Sequence, residues 1–140
     1  NPGEPLKPLG SVASGGEISR VMLAVKTVLA DEEDTPTLIF DEIDTGISGI
    51  TAGKVGDRLR LIGKSRQVIC ITHLPQIAAT ADHHFLIRKK AEGTSVRTDV
   101  EMLDEAASVE ELARLLGGAN VTERVMESAK ELKELAKCER

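Results

Sequence analysis

The sequence predicts an α/β fold, with a mainly parallel sheet flanked by helices, followed by a β-hairpin and two C-terminal helices. Two short apolar runs, Thr37–Phe40 and Gln67–Thr72, are separated by a helical pattern, and parallel neighbours need such crossover connections. Two further strand-like runs, Phe85–Lys89 and Ser95–Leu103, follow each other closely, which is typical of a hairpin. These observations place the chain in the α/β class.

Length and composition are those of one compact domain with an apolar core, since 41% of the 140 residues are hydrophobic. Eighteen basic and 23 acidic residues give a net charge of -5, so no overall positive field indicates nucleic acid. The two cysteines lie too far apart for a disulfide framework or a zinc site and suit a reducing compartment. No apolar stretch approaches the roughly 20 residues that span a bilayer, so we expect a cytoplasmic protein.

The first half of the chain alternates helices and strands after an irregular start. Three prolines predict an extended lead-in over residues 1–10. Apolar residues at helical spacing over Ile18–Leu29 predict a helix, which the acidic cluster Asp31–Asp34 ends. The spacing of Val55–Ile62 predicts a second helix, and Pro75 suits the first turn of a third.

The second half begins with the predicted hairpin, whose strands are joined through Ala91–Thr94. Ser108 with Glu111 three residues later predicts a helix that starts with a capping box. Gly117–Gly118 should end that helix before a last helix over residues 122–137.

A helix start with two consecutive glycines is the first candidate site. Ser14, Gly15, Gly16 and Glu17 precede the apolar-periodic run, although glycine in a helix costs about 1 kcal/mol relative to alanine. A helix N-terminus without side chains suits an anion, so the pattern predicts a phosphate contact. The alternative is an ordinary capping box of Ser14 and Glu17, which leaves the glycines unexplained, and the two roles can coexist.

Polar side chains at the ends of the two parallel strands form the second candidate site. Asp41 and Glu42 follow the first strand and His73 follows the second, at the edge of the sheet where ligands usually bind. An aspartate there can hold Mg²⁺, and an adjacent glutamate can deprotonate a water that attacks a phosphate. The alternatives are a solvated acidic turn, a loop aspartate at Asp44 chosen for its backbone geometry, and a structural histidine.

Two segments approach the glycine-rich phosphate loop without matching it. Ser48–Val55 and Arg58–Ser65 both lack the first glycine of that pattern, so we expect no phosphate loop in this chain. His83 and His84 are predicted to be exposed residues at the start of a strand, because their spacing from His73 matches no standard metal site.

The order of these motifs resembles that of the ATP-binding-cassette (ABC) ATPases. A glycine-rich helix start is followed by an apolar strand ending in Asp-Glu, a loop aspartate and a strand ending in histidine. In those proteins the corresponding elements are the signature loop, the Walker B strand, the catalytic glutamate, the D-loop and the switch histidine. The matching positions here are Ser14–Glu17, Leu38–Asp41, Glu42, Asp44 and His73.

Longer blocks are similar to the C-terminal head segment of the RecN family, bacterial DNA repair ATPases related to structural-maintenance-of-chromosomes (SMC) proteins. The blocks are NPGEPLKPL (1–9), VASGGEISR (12–20), LIFDEIDTGISG (38–49) and ITHLPQIAA (71–79). In that family an N-terminal segment carries the phosphate loop (Walker A) and a coiled coil follows. The resemblance implies that residues 1–140 are the C-terminal lobe of a split head, with the Walker A lobe and the coiled coil absent.

The resemblance also implies the cofactors and the roles of residues. ATP and Mg²⁺ would both require the missing N-terminal lobe, and Asp41 would support the metal. The catalytic residues would be Glu42 and His73. Glu42 would activate water, and His73 would sense the γ-phosphate. Residues implied to contact nucleotide, in part on an opposing head, are Ser14, Gly15, Gly16, Glu17 and Asp44.

The implied partners are the Walker A lobe of the same protein, a second head joined through ATP, and DNA bound by the full-length protein, with no membrane. The implied function is ATP-dependent head dimerisation and hydrolysis in double-strand break repair and recombination, near the nucleoid, with this segment inactive alone. Two alternatives stay open: a non-hydrolysing interaction module of the same fold, and the head of another SMC-like ATPase. The Leu74–Ala79 stretch favours RecN over the latter.

Overall fold

The computed structural model describes residues 5, 7–29, 35–92 and 95–138, which form six helices and four strands. The elements divide into two compact units, Asn1–His73 and Leu74–Arg140. Across these residues, no helix has both the length and the apolar character needed to cross a membrane. In chain order the elements are α1 (Leu9–Val12), α2 (Gly15–Val28), β1 (Thr37–Phe40), α3 (Gly49–Gly63), β2 (Gln67–Cys70), α4 (Pro75–Ala78), β3 (His84–Glu92), β4 (Ser95–Leu103), α5 (Glu105–Gly117) and α6 (Glu123–Cys138).

The first unit is built on a parallel pair of strands, as predicted. β1 and β2 pair from Thr37 opposite Gln67 to Phe40 opposite Cys70, and α3 is the crossover between them. Because side chains alternate between the faces of a strand, Leu38 and Phe40 are buried while Ile39 is 67% exposed. The buried side of α3 completes this core with Ala52, Val55, Leu59 and Ile62.

The extended lead-in predicted over residues 1–10 is wrong at its end, because α1 already begins at Leu9. Pro8 has φ -56°, which is compatible with a helix start, and its carbonyl accepts hydrogen bonds from Ser11 N (3.0 Å) and Ser11 Oγ (2.7 Å). Residues 1–4 and 6, and the acidic cluster over residues 31–34, lie outside the described part of the chain.

The second unit combines the predicted hairpin with two packed helices. β3 and β4 pair antiparallel from His84 opposite Leu103 to Glu92 opposite Ser95. β3 extends further toward the turn than the predicted Lys89, while β4 has its predicted bounds; residues 93–94 lie outside the described part. Leu112, Ala113 and Ala129 are fully buried between α5 and α6, and the end of α4 joins their cluster. These three side chains form the centre of the apolar core of the second unit.

The predicted capping box of Ser108 and Glu111 is wrong. α5 begins at Glu105, and its N-cap is Asp104, whose Oδ1 accepts a hydrogen bond from Ala107 N (2.8 Å). Ser108 therefore lies inside the helix and is 2% exposed, while Glu111 pairs with Arg114 instead of a backbone N–H. Asp104 is as good a cap as serine, and it stands four residues earlier.

The two neighbouring histidines differ in environment. His83 is exposed as predicted, but His84 is half-buried and its Nδ1 lies 3.0 Å from Ser108 Oγ. Burial and the positive charge of Lys133 lower the pKa of His84, against a smaller opposing effect of Glu111. His84 is thus a structural residue that joins the hairpin to α5, and the prediction that it is exposed was wrong.

Candidate nucleotide site

The carboxyl ends of β1 and β2 bring the two predicted acidic and histidine segments together. Phe40 O accepts a hydrogen bond from Ile71 N (2.9 Å), so the chain leaves both strands side by side. Asp41–Asp44 follows β1, and Thr72–His73 follows β2. The two segments could be predicted to lie side by side because the carboxyl ends of parallel strands meet at the same edge of a sheet.

Asp44 joins the two segments directly. Its carboxylate is 3% exposed, and Oδ2 accepts hydrogen bonds from Thr72 Oγ1 (2.6 Å) and His73 N (2.8 Å). His73 Nδ1 also lies 3.0 Å from the same oxygen, while the His73 side chain is 71% exposed. Asp44 therefore fixes the ring orientation and leaves Nε2 as the nitrogen that an external ligand can reach.

The ionisation of Asp44 follows from these contacts. Burial acts to raise the pKa of the carboxyl, but hydrogen bonds from Thr72 and His73 N, together with the charge of the His73 ring, lower it further than burial raises it. The carboxylate is thus ionised at neutral pH. The structure gives Asp44 an internal role in orienting His73, and its contact with nucleotide stays a prediction.

Asp41 and Glu42 are both exposed where β1 ends. Asp41 Oδ1 accepts a hydrogen bond from Glu42 N (2.9 Å), and Glu42 O accepts one from Thr45 N (3.0 Å), so a tight turn presents the two carboxylates. Glu42 has φ 56°, in the left-handed region that residues with a Cβ rarely adopt. No sequence pattern indicated this conformation, because glutamate is not a residue that favours it.

The start of α2 contains the predicted capping box. Ser14 Oγ accepts a hydrogen bond from Glu17 N (3.3 Å), and Glu17 Oε2 accepts one from Ser14 N (2.8 Å). Ser14 Oγ also donates a hydrogen bond to Glu17 Oε2 (2.9 Å), and the backbone and side-chain hydrogen bonds that Ser14 donates to this carboxylate lower the pKa of Glu17. Glu17 is therefore occupied in stabilising the helix start, and its contact with nucleotide also stays a prediction.

The structure supplies a reason for the two glycines that the sequence did not reveal. A Cβ at Gly15 would lie 2.8 Å from Glu42 Oε2, and one at Gly16 would lie 2.8 Å from Glu42 O. A larger residue at Gly16 would meet the backbone of the glutamate loop and displace it, whereas one at Gly15 would only push the flexible Glu42 side chain aside. Gly15 therefore leaves room for the Glu42 carboxylate, and Gly16 serves this chain's own packing. The contact joins positions 26 residues apart and has no local signal in the sequence.

Two residues one turn further along α2 also hold the loop, and sequence reasoning missed both. Ser19 Oγ donates to Asp41 O (3.0 Å), and Arg20 Nη1 donates to Ile43 O (3.0 Å) and Thr45 O (2.9 Å). Ser19 and Arg20 follow the two glycines by four residues, so they lie on the same face of the helix. That spacing was the available signal.

The residues present fit a shared Mg²⁺ site. Within the described ranges, no group of three His, Cys, Asp or Glu side chains could hold a metal ion by itself. The exposed carboxylate of Asp41 is an oxygen ligand of the kind that Mg²⁺ prefers, and that ion often takes its other ligands from phosphates and water. Burial, with the charges of Asp44 and Asp41, raises the pKa of the nearby Cys70 thiol to about 12, so the thiol is protonated at neutral pH.

The fold of the chain is similar to that of a solved SMC ATPase structure. A solved structure reported under ATP-driven dimerization and DNA-stimulated activation of SMC ATPases matches the chain with a TM-score of 0.55 and 19% sequence identity. The match covers 84% of this chain and 70% of that one. At this identity the likeness shows the fold alone, and it confirms the predicted fold class.

Sequence relatives then identify the family. The chain is 52% identical over 136 residues to the DNA repair protein RecN of Halalkalibacterium halodurans, 50% over 132 residues to that of Vibrio cholerae, and 44% over 140 residues to that of Streptomyces coelicolor. These matches cover 97%, 94% and 100% of this chain. No protein-family profile matches the chain.

The chain belongs to the RecN family and corresponds to its C-terminal segment. It spans about a quarter of the length of these curated relatives, since each match covers 24% of the relative. The predicted resemblance is confirmed, and the alternative of another SMC-like branch is excluded.

Proposed function

We propose that this chain is the C-terminal half of an ABC-type ATPase head, which hydrolyses ATP in a complete RecN-family protein during DNA double-strand break repair and recombination. The observation that carries the proposal is the convergence of Asp41, Glu42 and His73 at one edge of the parallel pair, held by Asp44. The chain lacks a phosphate loop, so we expect negligible hydrolysis by this segment alone.

Each polar residue at the strand ends has a distinct role in this proposal. Asp41 provides one ligand for Mg²⁺, which neutralises phosphate charge when bound. Glu42 accepts a proton from the attacking water, and its exposed position supports that role over a non-hydrolysing module. His73 contacts the γ-phosphate through the ring nitrogen that Asp44 does not engage.

The start of α2 serves the nucleotide of a second head. Ser14 and Gly15 are exposed at a helix N-terminus whose dipole favours an anion, and the buried Gly16 follows them in the first turn. A nucleotide shared between two heads binds only the closed state, so dimerisation and nucleotide occupancy strengthen each other. The solved structure with this fold was reported in a study of ATP-driven dimerization and DNA-stimulated activation of SMC ATPases. We extend both properties to the complete RecN-family protein.

The N-terminal lobe is the expected partner of the parallel pair. Ile39, Ile69 and Ile71 are 67%, 44% and 46% exposed, which leaves an apolar strip on the first unit. Exposed apolar residues grouped in this way are typical of a surface that another domain covers. Their exposure supports an additional lobe, and DNA would be bound by the full-length protein.

Ser14→Arg in the complete protein tests the signature role. The added cation and bulk at the exposed N-cap should prevent head closure, whereas ATP should still bind to the N-terminal lobe. Light scattering with ATP and Mg²⁺ would measure closure, and binding of a fluorescent ATP analogue would measure occupancy. Ser128→Arg, on an exposed position of α6, is the matched control and should close normally. Unchanged closure in Ser14→Arg would contradict the assignment.

A further inference from the structure

Glu42 has a backbone conformation that the surrounding structure must enforce. Its φ of 56° is the one positive value at a residue other than glycine within the part of the chain that the structure describes. Such conformations persist only where neighbouring contacts determine them, and they concentrate at functional sites. The contacts that hold Glu42 therefore bear on its function.

Those contacts come from α2 on both sides of the residue. Ser19 Oγ binds the carbonyl before Glu42, and Arg20 Nη1 binds the carbonyls of Ile43 and Thr45 after it. Gly16 packs against the Glu42 carbonyl itself, where a Cβ would lie at 2.8 Å. The carbonyls on both sides of the strained position are thus fixed by one face of one helix.

We propose that Arg20 is a positioning residue that holds Glu42 in the left-handed conformation. This inference rests on the proposed role of Glu42 as the base. As a consequence, the two nucleotide contacts are linked. The start of α2 serves the nucleotide of the opposing head, and Glu42 serves the nucleotide of its own head. Arg20 makes these two parts move as one unit. Contact with the second head can then change the position of Glu42 through the Arg20 clamp.

A thermal-unfolding cycle on the 140-residue chain tests the clamp without any ATPase activity. Glycine adopts positive φ without strain, so Glu42→Gly should unfold roughly 4 °C above Glu42→Ala while Arg20 enforces that φ. Arg20→Met keeps the aliphatic part of the side chain and removes its hydrogen-bond donors. In that background, the difference in unfolding temperature between Glu42→Gly and Glu42→Ala (the gap) should fall by at least about half. Arg58→Met, an exposed arginine on α3, is the matched control and should leave the gap unchanged.

The result that overturns the clamp is a gap that stays the same in the Arg20→Met background. Should that variant not fold, Arg20→Lys, whose shorter side chain holds the carbonyls of Ile43 and Thr45 less firmly, should still narrow the gap; an unchanged gap there overturns the clamp equally. Neither result depends on whether Glu42 is the base, so failure of the clamp is distinguishable from failure of the proposed function.

Steady-state kinetics of the complete protein test the consequence for the reaction. Arg20→Met should lower kcat at least about 10-fold while KM for ATP changes less than about twofold, because only the transition-state position of Glu42 is affected. Arg20→Lys should recover part of kcat, since it retains donors. The positioning role would be overturned by a normal kcat in Arg20→Met. It would also be overturned if KM for ATP rose by as large a factor as kcat fell.

Discussion

Asp44 is the residue on which the candidate site depends most. It is buried, it carries a charge, and it binds Thr72 and His73 from the neighbouring strand end. The residue types at this edge were predictable, because acidic residues and histidine directly follow apolar runs. Their contacts were not, because the sequence does not say whether a loop aspartate turns toward a ligand or toward the chain.

Asp44→Asn should destabilise the 140-residue chain at pH 7 by about 2 kcal/mol, the range for hydrogen bonds to a charged group. The pKa of Asp44 lies below its ordinary value of 3.8, so the stabilisation is complete above about pH 4 and is lost as pH falls through the folded pKa. Urea unfolding at pH 7 and pH 3 would measure this. Asp57→Asn, on the exposed side of α3, should have little effect. A penalty for Asp44→Asn that is the same at both pH values would contradict the account.

At the scale of elements, the order of helices and strands was predicted correctly, whereas several boundaries were not: β2 ends at Cys70 instead of the predicted Thr72, and β3 continues to Glu92 instead of the predicted Lys89. β1 has the predicted bounds, because charged residues end a short apolar run abruptly. α5 starts before the predicted serine, because Asp104 is the N-cap and Ser108 lies inside the helix, where its hydroxyl is 3.0 Å from His84 Nδ1. The phosphate contact predicted for the glycines of α2 stays a prediction, and the contact of Gly16 with the Glu42 carbonyl has no signal in the sequence because it is nonlocal.

Leu112→Ala should lower the free energy of unfolding by about 3 kcal/mol, because Leu112 is fully buried between α5 and α6 and its loss leaves a cavity. Leu116→Ala removes the same atoms from a position of α5 that is 39% exposed and should cost much less. Denaturant unfolding of both variants measures the difference. Equal losses of unfolding free energy in the two variants would contradict the burial of Leu112 between α5 and α6.

At the scale of the whole molecule, we expect that this chain cannot complete the proposed reaction alone. It spans about a quarter of its RecN relatives, and it has no phosphate loop. The structure describes two compact units, and the candidate site belongs to the first, Asn1–His73. The nucleotide, the second head and the N-terminal lobe are therefore the parts of the account that require the complete protein.

The measurement that tests the central claim most directly is ATP turnover and dimerisation of the complete protein carrying Glu42→Gln. Loss of the base should reduce Mg²⁺-dependent hydrolysis by about 10²–10⁴-fold and trap an ATP-bound dimer, because hydrolysis no longer releases the heads. Glu127→Gln, an exposed glutamate on α6, is the control and should turn over normally. Ordinary turnover by Glu42→Gln, with no accumulation of dimer, would contradict the claim that Glu42 activates water.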